Sequence, residues 1–354
     1  MRKLNKQSWL RNRSLLVVLS LMLGISLVLS GCSNGNNGTG DNSADNAKEK
    51  LVLADASWAS IQVHNRIAGF ILEEGYGYPV EYMFGETLPT LQGIGAGDID
   101  VLMEVWADNY EDAWNKLIDE GSVINMGSNF PDSTQGWYVP TYMIKGDPER
   151  GIEPITPDLK SISDLPKYWE VFKDQEVPTK GRFYQSPAGW ACTEVNEEKF
   201  VAYGLDKTYN LFASGSQTAL ATSMVTAYDK GEPWLGYYWE PTWVMGKMDM
   251  TLLEETAYDK EIWDNNKACA YPPSRIQKAV NKDLENNAPE VFEFVKKYET
   301  TTALTNKALA YMQEHDGDTE KAAIWFLQEY PDVWNAWVPD DVASRVEQAL
   351  SEVE

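Results

Sequence analysis

The chain has 354 residues, of which 54 are acidic and 30 are basic, so its formal net charge at neutral pH is −24. A surface this acidic repels nucleic acid and anionic lipid headgroups, which argues against both as partners of the folded part. Hydrophobic residues make up 43% of the chain and aromatic residues 12%, enough for a sizeable core in a length that exceeds one average domain.

The N-terminus has the pattern of an export signal. Five basic residues within the first 13 precede an apolar run at 15–29, which is short for a membrane span. Leu29-Ser30-Gly31-Cys32 then resembles a bacterial lipobox, in which the peptide is cut before the cysteine and the cysteine is acylated. We therefore predict a lipoprotein signal peptide at 1–31 and a lipid anchor on Cys32, which would hold the protein outside the cytoplasm on the bacterial cell membrane.

Residues 32–50 are predicted to be a flexible tether. Beyond Cys32 they are mostly Asn, Gly, Ser, Asp and Lys with scarcely an apolar side chain, so they cannot bury enough surface to fold. We therefore expect the folded protein to begin near Leu51.

From Leu51 the hydrophobic pattern alternates between strand and helix. It predicts, in chain order, a strand at 51–54, a helix at 60–74, a strand at 79–84, a helix at 88–94 and a strand at 101–106. The glycine-rich segment 93–97 follows a helix and precedes a strand, the reverse of a dinucleotide-binding loop, so we interpret it as a helix stop. This order predicts an α/β fold with a doubly wound lobe.

The rest of the chain predicts a second lobe. Apolar segments at 137–144 and 243–253 are interpreted as crossings between lobes, with helices at 162–172, 193–203 and 216–228 and strands beginning at Arg182 and Trp234 between them. Helices are then predicted at 276–286, 288–297, 306–314 and 319–330. These assignments give lobe 1 at 51–141 and 246–354, lobe 2 at 142–245, and a hinge with a cleft between the lobes.

Three tryptophans are predicted to meet in that cleft. Trp239 lies at the exit of an aromatic-rich strand, and Trp106 and Trp190 end two other segments in the same way. Ligands of open α/β sheets bind at the C-terminal ends of strands, and ring faces attract a methylated ammonium without a counter-ion. We expect the neighbouring rings Trp234, Tyr237 and Tyr238 to pack in the core.

The cysteines and histidines indicate no metal site. After Cys32 only Cys192 and Cys269 remain; an oxidising compartment favours one disulfide between them, and two buried thiols stay open as the alternative. His64 and His315 have no partner at ligand spacing, so neither a metal nor a cofactor is expected.

Several motifs resemble those of the glycine betaine-binding lipoproteins of osmoprotectant ABC importers, which have the two-lobed type II periplasmic-binding-protein fold. The matching segments are 97–100 followed by 104–106, 135–140, 187–190 and 237–244, and the resemblance covers the whole mature chain. It implies a monomer that is not an enzyme, captures glycine betaine or a related methylated ammonium, and delivers it to a permease with its ATPase.

The resemblance also implies roles for individual residues. In that family three tryptophans enclose the trimethylammonium group, and the matching positions are Trp106, Trp190 and Trp239. The N–H of Ala191, at the start of a predicted helix, would bind the ligand carboxylate. Tyr110 lies where some relatives carry a histidine, so the side chains that bind the ligand carboxylate stay open. Trp58, at the exit of the first strand, is interpreted as packing, with cleft lining as the alternative.

Two other functions fit parts of the sequence. A carbohydrate-active secreted protein would also use tryptophan platforms, with acids such as Glu104, Asp108 and Glu240 in catalysis. Each of these acids is also explained as an ordinary solvated side chain, and the chain has no nucleophile-elbow, zinc-protease or P-loop motif. A solute-sensing lipoprotein would keep the same fold and site.

Overall fold

The computed structural model describes residues 48–245 and 247–353, so the predictions for the signal peptide, Cys32 and most of the tether lie outside the described residues. The strands are β1 Leu51–Asp55, β2 Val80–Phe84, β3 Val101–Val105, β4 Val123–Pro140, β5 Gly181–Gln185, β6 Tyr209–Ala213, β7 Gly236–Glu240, β8 Met250–Leu252 and β9 Ser274–Asn281. The helices are α1 Ala59–Phe70, α2 Thr87–Ala96, α3 Glu111–Asp119, α4 Tyr142–Lys145, α5 Ala191–Ala202, α6 Gln217–Lys230, α7 Lys260–Asn266, α8 Leu284–Asn287, α9 Pro289–Lys297, α10 Thr302–Glu314, α11 Thr319–Glu329, α12 Pro331–Trp334 and α13 Asp340–Glu352.

One long strand joins two half-sheets. The strand order is β2-β1-β3-β9-β4-β7-β5-β6, with β8 also beside β4. The N-terminal part of β4, up to Ser133, pairs with β9, and the part from Thr134 pairs with β7 and then β8. We call the β2-β1-β3-β9 side the first half-sheet and the β7-β5-β6 side, with β8, the second half-sheet.

Parallel pairing aligns the strand ends that matter for the site. β1 is parallel to β2 and β3 in the first half-sheet, and β5 is parallel to β6 and β7 in the second. In each half-sheet the C-terminal ends of these strands therefore lie along one edge, where ligands of open α/β sheets bind.

Each half-sheet is covered by helices through an apolar core. In the first, Leu53 and Val280 pack with Phe294 and Trp334 from the C-terminal helices. In the second, Trp234 is 1% exposed, stacks on Tyr184 with ring centroids 5.7 Å apart, and donates from Nε1 to Ser223 Oγ at 3.0 Å. The prediction that Trp234 is a core residue is confirmed.

Most predicted helices are found within a few residues, one is much shorter than predicted and one is wrong. The predicted helix at 162–172 is only a short 3-10 helix, Ile162–Lys167, which contains Pro166. Gly97 ends α2 at φ +88°, a left-handed conformation that glycine adopts without strain, so the predicted helix stop is confirmed. The predicted helix at 276–286 is instead mainly β9, which runs antiparallel to both β3 and β4. The cause is long-range pairing with β3 and β4. Lys278 can be buried in this strand because its Nζ donates to the carbonyl oxygens of Ser128, at 2.8 Å, and Tyr298.

Strand pairing locates the two passages between the half-sheets. The first lies within β4, between Ser133 and Thr134, and the second precedes β9, because β8 still pairs with the end of β4. These positions differ from the predicted crossings at 137–144 and 243–253. The lobe boundaries at 141/142 and 245/246 stay a prediction.

Candidate ligand-binding site

Four tryptophans follow or end four strands, two in each half-sheet. Trp58 precedes α1 after β1, and Trp106 directly follows β3. Trp190 precedes α5 after β5, and Trp239 is the residue before the last of β7. The loop before Trp190 turns at Gly189, whose φ of +90° suits glycine.

These strand ends surround one cavity. Its lining side chains come from both half-sheets and are Trp58, Thr87, Trp106, Asn109, Tyr110, Trp190, Ala191, Cys192, Tyr237 and Trp239. The enclosed space between them measures about 30 Å³, little more than a water molecule needs, so the rings lie close together in this structure. None of the ten is ionised at neutral pH, so the wall attracts a cation through ring faces and dipoles.

The ring of Trp190 is held nearly perpendicular to two other tryptophans of the wall. Trp190 lies between Trp58 and Trp239, with centroid distances of 5.8 and 4.9 Å and interplanar angles of 78° and 85°. Tyr237 stacks on Trp239 at 6.0 Å and 20°, and its hydroxyl donates to Gln135 Oε1 at 2.9 Å. Edge-to-face contacts of this kind are favourable and fix the ring orientations before any ligand arrives.

Hydrogen bonds anchor three of the indole nitrogens away from the cavity. Trp58 Nε1 and Trp106 Nε1 both donate to Glu104 Oε1, at 2.8 and 2.7 Å. Trp190 Nε1 donates to Ser57 Oγ at 2.8 Å, a bond from the second half-sheet to the first. Because an indole has a single donor, these bonds leave the ring faces as the surface available to a ligand.

A second bond joins the two halves beside the cavity. The backbone N–H of Ala59, the first residue of α1, donates to Gln217 Oε1 at the start of α6, at 2.7 Å. Together with the Ser57–Trp190 bond it holds the half-sheets against each other at the cavity edge.

Part of the cavity wall is polar. Helix α5 begins there with Ala191 and Cys192, and Trp190 before it makes no side-chain cap, so backbone N–H groups of the first turn lie at the wall. Thr87 and Asn109 add a hydroxyl and an amide. Burial holds the pKa of Tyr110 well above its usual value, so its hydroxyl remains a neutral hydrogen-bonding group.

All six residues predicted for ligand binding line this cavity: Trp58, Trp106, Tyr110, Trp190, Ala191 and Trp239. Trp58, interpreted as packing, is 7% exposed and belongs to the wall as well as to the core. Sequence reasoning missed Thr87 and Asn109, because a single hydroxyl or amide in a loop carries no pattern, and it assigned Tyr237 to the core alone. Their roles in binding stay predictions.

The favoured disulfide is absent, and that prediction is wrong for this structure. Cys192 and Cys269 are both free and buried. Cys192 lines the cavity, where burial raises its pKa to about 11, whereas the Cys269 thiol points to the carbonyl of Asp259 at 3.7 Å. Each thiol therefore has separate surroundings.

The acids proposed for a carbohydrate enzyme do not flank the cavity as a pair. Glu104 is 1% exposed, and its Oε1 accepts hydrogen bonds from the indole N–H groups of Trp58 and Trp106. Glu240 accepts a hydrogen bond from Thr134 Oγ1 at 3.2 Å. Within 48–245 and 247–353, no group of three or more His, Cys, Asp or Glu could hold a metal ion. No helix in that same part of the chain is long and apolar enough to cross a membrane.

A two-lobed α/β fold with an aromatic cavity at the strand ends of both half-sheets defines a solute-binding protein of the periplasmic-binding-protein class, as predicted. The sequence model of one such family, the substrate-binding domain of ABC-type glycine betaine transport systems, matches residues 49–329. The chain belongs to this family. Membership also confirms the prediction of a binding protein rather than an enzyme.

Individual relatives are distant in sequence. A glycine betaine/proline betaine-binding periplasmic protein of Salmonella typhimurium is 23% identical over 169 residues, which are 48% of this chain and 46% of that protein. The chain thus spans about half the length of this curated relative.

Solved structures share the fold over most of their length. A glycine betaine/L-proline-binding protein, ProX, from Borrelia burgdorferi is 19% identical with a TM-score of 0.69, covering 84% of this chain and 100% of that one. Lactococcal OpuAC, closed on glycine betaine, is 18% identical with a TM-score of 0.65, covering 82% and 100%. An ABC-transporter choline-binding protein with choline is 18% identical with a TM-score of 0.69, covering 87% and 100%.

Proposed function

We propose that this protein is the extracytoplasmic solute-binding component of an ABC importer. It captures glycine betaine or a related methylated ammonium solute in the cavity and delivers it to the permease and its ATPase. The observation that carries this proposal is the wall of tryptophans without an ionised side chain, which suits a permanent cation that cannot form a conventional hydrogen bond. Family membership supports the transport role.

The ligand is proposed to lie with its cationic group among Trp106, Trp190 and Trp239. Its carboxylate, where it has one, would lie at the N-terminus of α5, near the N–H of Ala191 and the neutral side chains of Tyr110 and Asn109. The cavity therefore suits zwitterionic betaines, and a hydroxyl such as that of choline would meet the same polar part of the wall.

Calorimetric titration of residues 48–354 tests the proposal. We expect micromolar binding, a free energy of about 8 kcal/mol, for at least one of glycine betaine, proline betaine, carnitine, choline and a sulfonium analogue. Glucose and glycine, which lack a methylated onium group, are the controls. Binding of sugar alone, or of glycine as tightly as glycine betaine, would contradict the proposal.

Membrane attachment is proposed to depend on the lipobox. Replacing Cys32 by Ser removes the thiol that would be acylated, so we expect the protein to leave the membrane fraction while residues 48–354 bind ligand as before. Cys192→Ser is the matched control, because it changes a thiol within the folded part. Unchanged membrane fractionation of the Cys32→Ser protein would contradict the anchor.

A further inference from the structure

Glu104 is a buried carboxylate whose hydrogen bonds go to the wall of the cavity. Its Oε1 accepts from Trp58 Nε1 at 2.8 Å, from Trp106 Nε1 at 2.7 Å and from Ser60 Oγ at 3.0 Å. Two of these three donors are rings that line the cavity. The acid thus lies on the far side of two indoles from the space that a ligand would occupy.

The site of Glu104 is costly for a carboxylate. It is 1% exposed, and Oε2 makes no hydrogen bond among the described residues. No Lys, Arg or His forms an ion pair with it in that part of the chain. A buried charge without a cation destabilises a fold, whereas a glutamine of the same shape would accept the same three bonds without a charge. Packing and ring orientation alone therefore do not account for a glutamate.

We propose that Glu104 is a counter-charge behind the tryptophan wall of the cavity: it orients Trp58 and Trp106 and, when ionised, makes the cavity prefer a cation to a neutral group of the same shape. This inference rests on the proposed function, since it assumes a methylated ammonium ligand. Glu104 acts through the two rings and is a positioning and specificity-determining residue. A carboxylate that accepts a hydrogen bond from an indole N–H makes the ring face more negative. The carboxylate's own negative charge also attracts a cation.

The surroundings of Glu104 leave its charge uncompensated. Titratable groups on β1, α1, β9 and the segments beside β3 include Asp55, His64, Arg66, Asp108, Tyr110 and Lys278, and the Tyr298 hydroxyl bonds to His64. Burial lowers the pKa of His64 to about 3 and raises those of the two tyrosines, so these three are neutral. Lys278 donates to backbone carbonyls, and burial lowers its pKa to about 8. Arg66 is paired with Asp55.

Protonation of Glu104 should therefore be visible in ligand binding. Burial outweighs its three hydrogen bonds and raises its pKa to about 7. A cation favours the ionised form, so the affinity for glycine betaine should rise as pH increases from 5.5 to 7.5, a range in which the ligand itself does not titrate. A neutral ligand should show no such rise.

The test compares glycine betaine with 3,3-dimethylbutanoate, in which carbon replaces the charged nitrogen. In Glu104→Gln we expect affinity for glycine betaine to fall roughly 10- to 50-fold, while affinity for the carbon isostere, measured by competition, changes less than about 2-fold. The pH dependence should also disappear. The control is Asp100→Asn, which removes a charge from the same region of the chain, where Asp100 accepts from the Val52 N–H at 2.7 Å.

Three results would overturn the inference: equal losses for both ligands, no loss for either, or a wild-type affinity for glycine betaine that is flat across pH 5.5–7.5. The wild-type measurement keeps the test decisive if Glu104→Gln fails to fold. A wild-type protein that binds no quaternary ammonium would instead refute the proposed function, so the two failures are distinguishable.

Discussion

Alanine at Trp106, Trp190 or Trp239 is expected to weaken glycine betaine binding by about 1 to 3 kcal/mol each, which is about 5- to 150-fold. Each substitution removes a ring face and opens a hydrated gap in the wall. Trp190 should give the largest loss, because its ring contacts both Trp58 and Trp239 and its Nε1 bonds to Ser57. Calorimetric titration of the three variants measures the losses.

Comparing phenylalanine with leucine at each position distinguishes a cation–π cage from a pocket that is only hydrophobic. Phenylalanine keeps a ring face and should recover part of the loss, whereas leucine of similar bulk should recover less. Trp325→Ala is the matched control, since Trp325 is half-buried and stacks on Tyr311 at 4.8 Å outside the cavity wall. Leucine variants that bind as well as phenylalanine variants at all three positions would contradict the cage.

Replacing Lys199 by Ala is expected to lower the free energy of unfolding by about 3 to 5 kcal/mol at pH 7. Lys199 lies on α5, the helix that begins at the cavity, and is fully buried with its Nζ bonded to Glu255 and to the carbonyl of Cys269. Burial lowers the pKa of Lys199 and raises that of Glu255, and each opposite charge counteracts the shift. Without the lysine, Glu255 loses its cationic partner and still accepts from the hydroxyl of Tyr203.

The sign of the pH dependence checks this explanation. In Lys199→Ala the folded pKa of Glu255 lies above its unfolded value, so stability is present at low pH and is lost as pH rises above the unfolded value. Urea unfolding should therefore show a smaller deficit at pH 4.5 than at pH 7.5. Lys116→Ala is the control, because its pair with Glu120 is exposed, 3.9 Å long and worth at most about 1 kcal/mol. An equal deficit at both pH values would refute the account.

The tryptophans of the cavity wall are predictable because their cause is local. Each one lies near the C-terminal end of a strand or in the segment that follows it, and parallel strands bring such positions to one edge of a sheet. The sequence alone therefore places Trp106 correctly at a strand end and Trp239 on the same face of β7 as Tyr237, whereas β5 ends at Gln185 and Trp190 lies beyond it, directly before α5.

Features that depend on distant partners are not predictable in this way. The sequence of β9 predicts a helix because Gln277 and Lys278 interrupt the alternation of apolar and polar residues. Pairing with β3 and β4 makes the segment a strand. Glu104 reads as one acid among many, because its three donors are visible only after β3 lies beside α1. The separate surroundings of Cys192 and Cys269 are likewise a property of the packed chain.

The division of the tryptophans between the half-sheets has a kinetic consequence. Trp58 and Trp106 belong to one half and Trp190 and Trp239 to the other, so a solute bound among these rings as proposed would leave only when the halves separate. The bonds from Trp190 to Ser57 and from Ala59 to Gln217 resist that separation without reaching the solute's cationic group. On the proposed function, residence time depends on these two bonds as well as on the ring faces, so a permease that separates the halves would release a tightly held solute without competing for it.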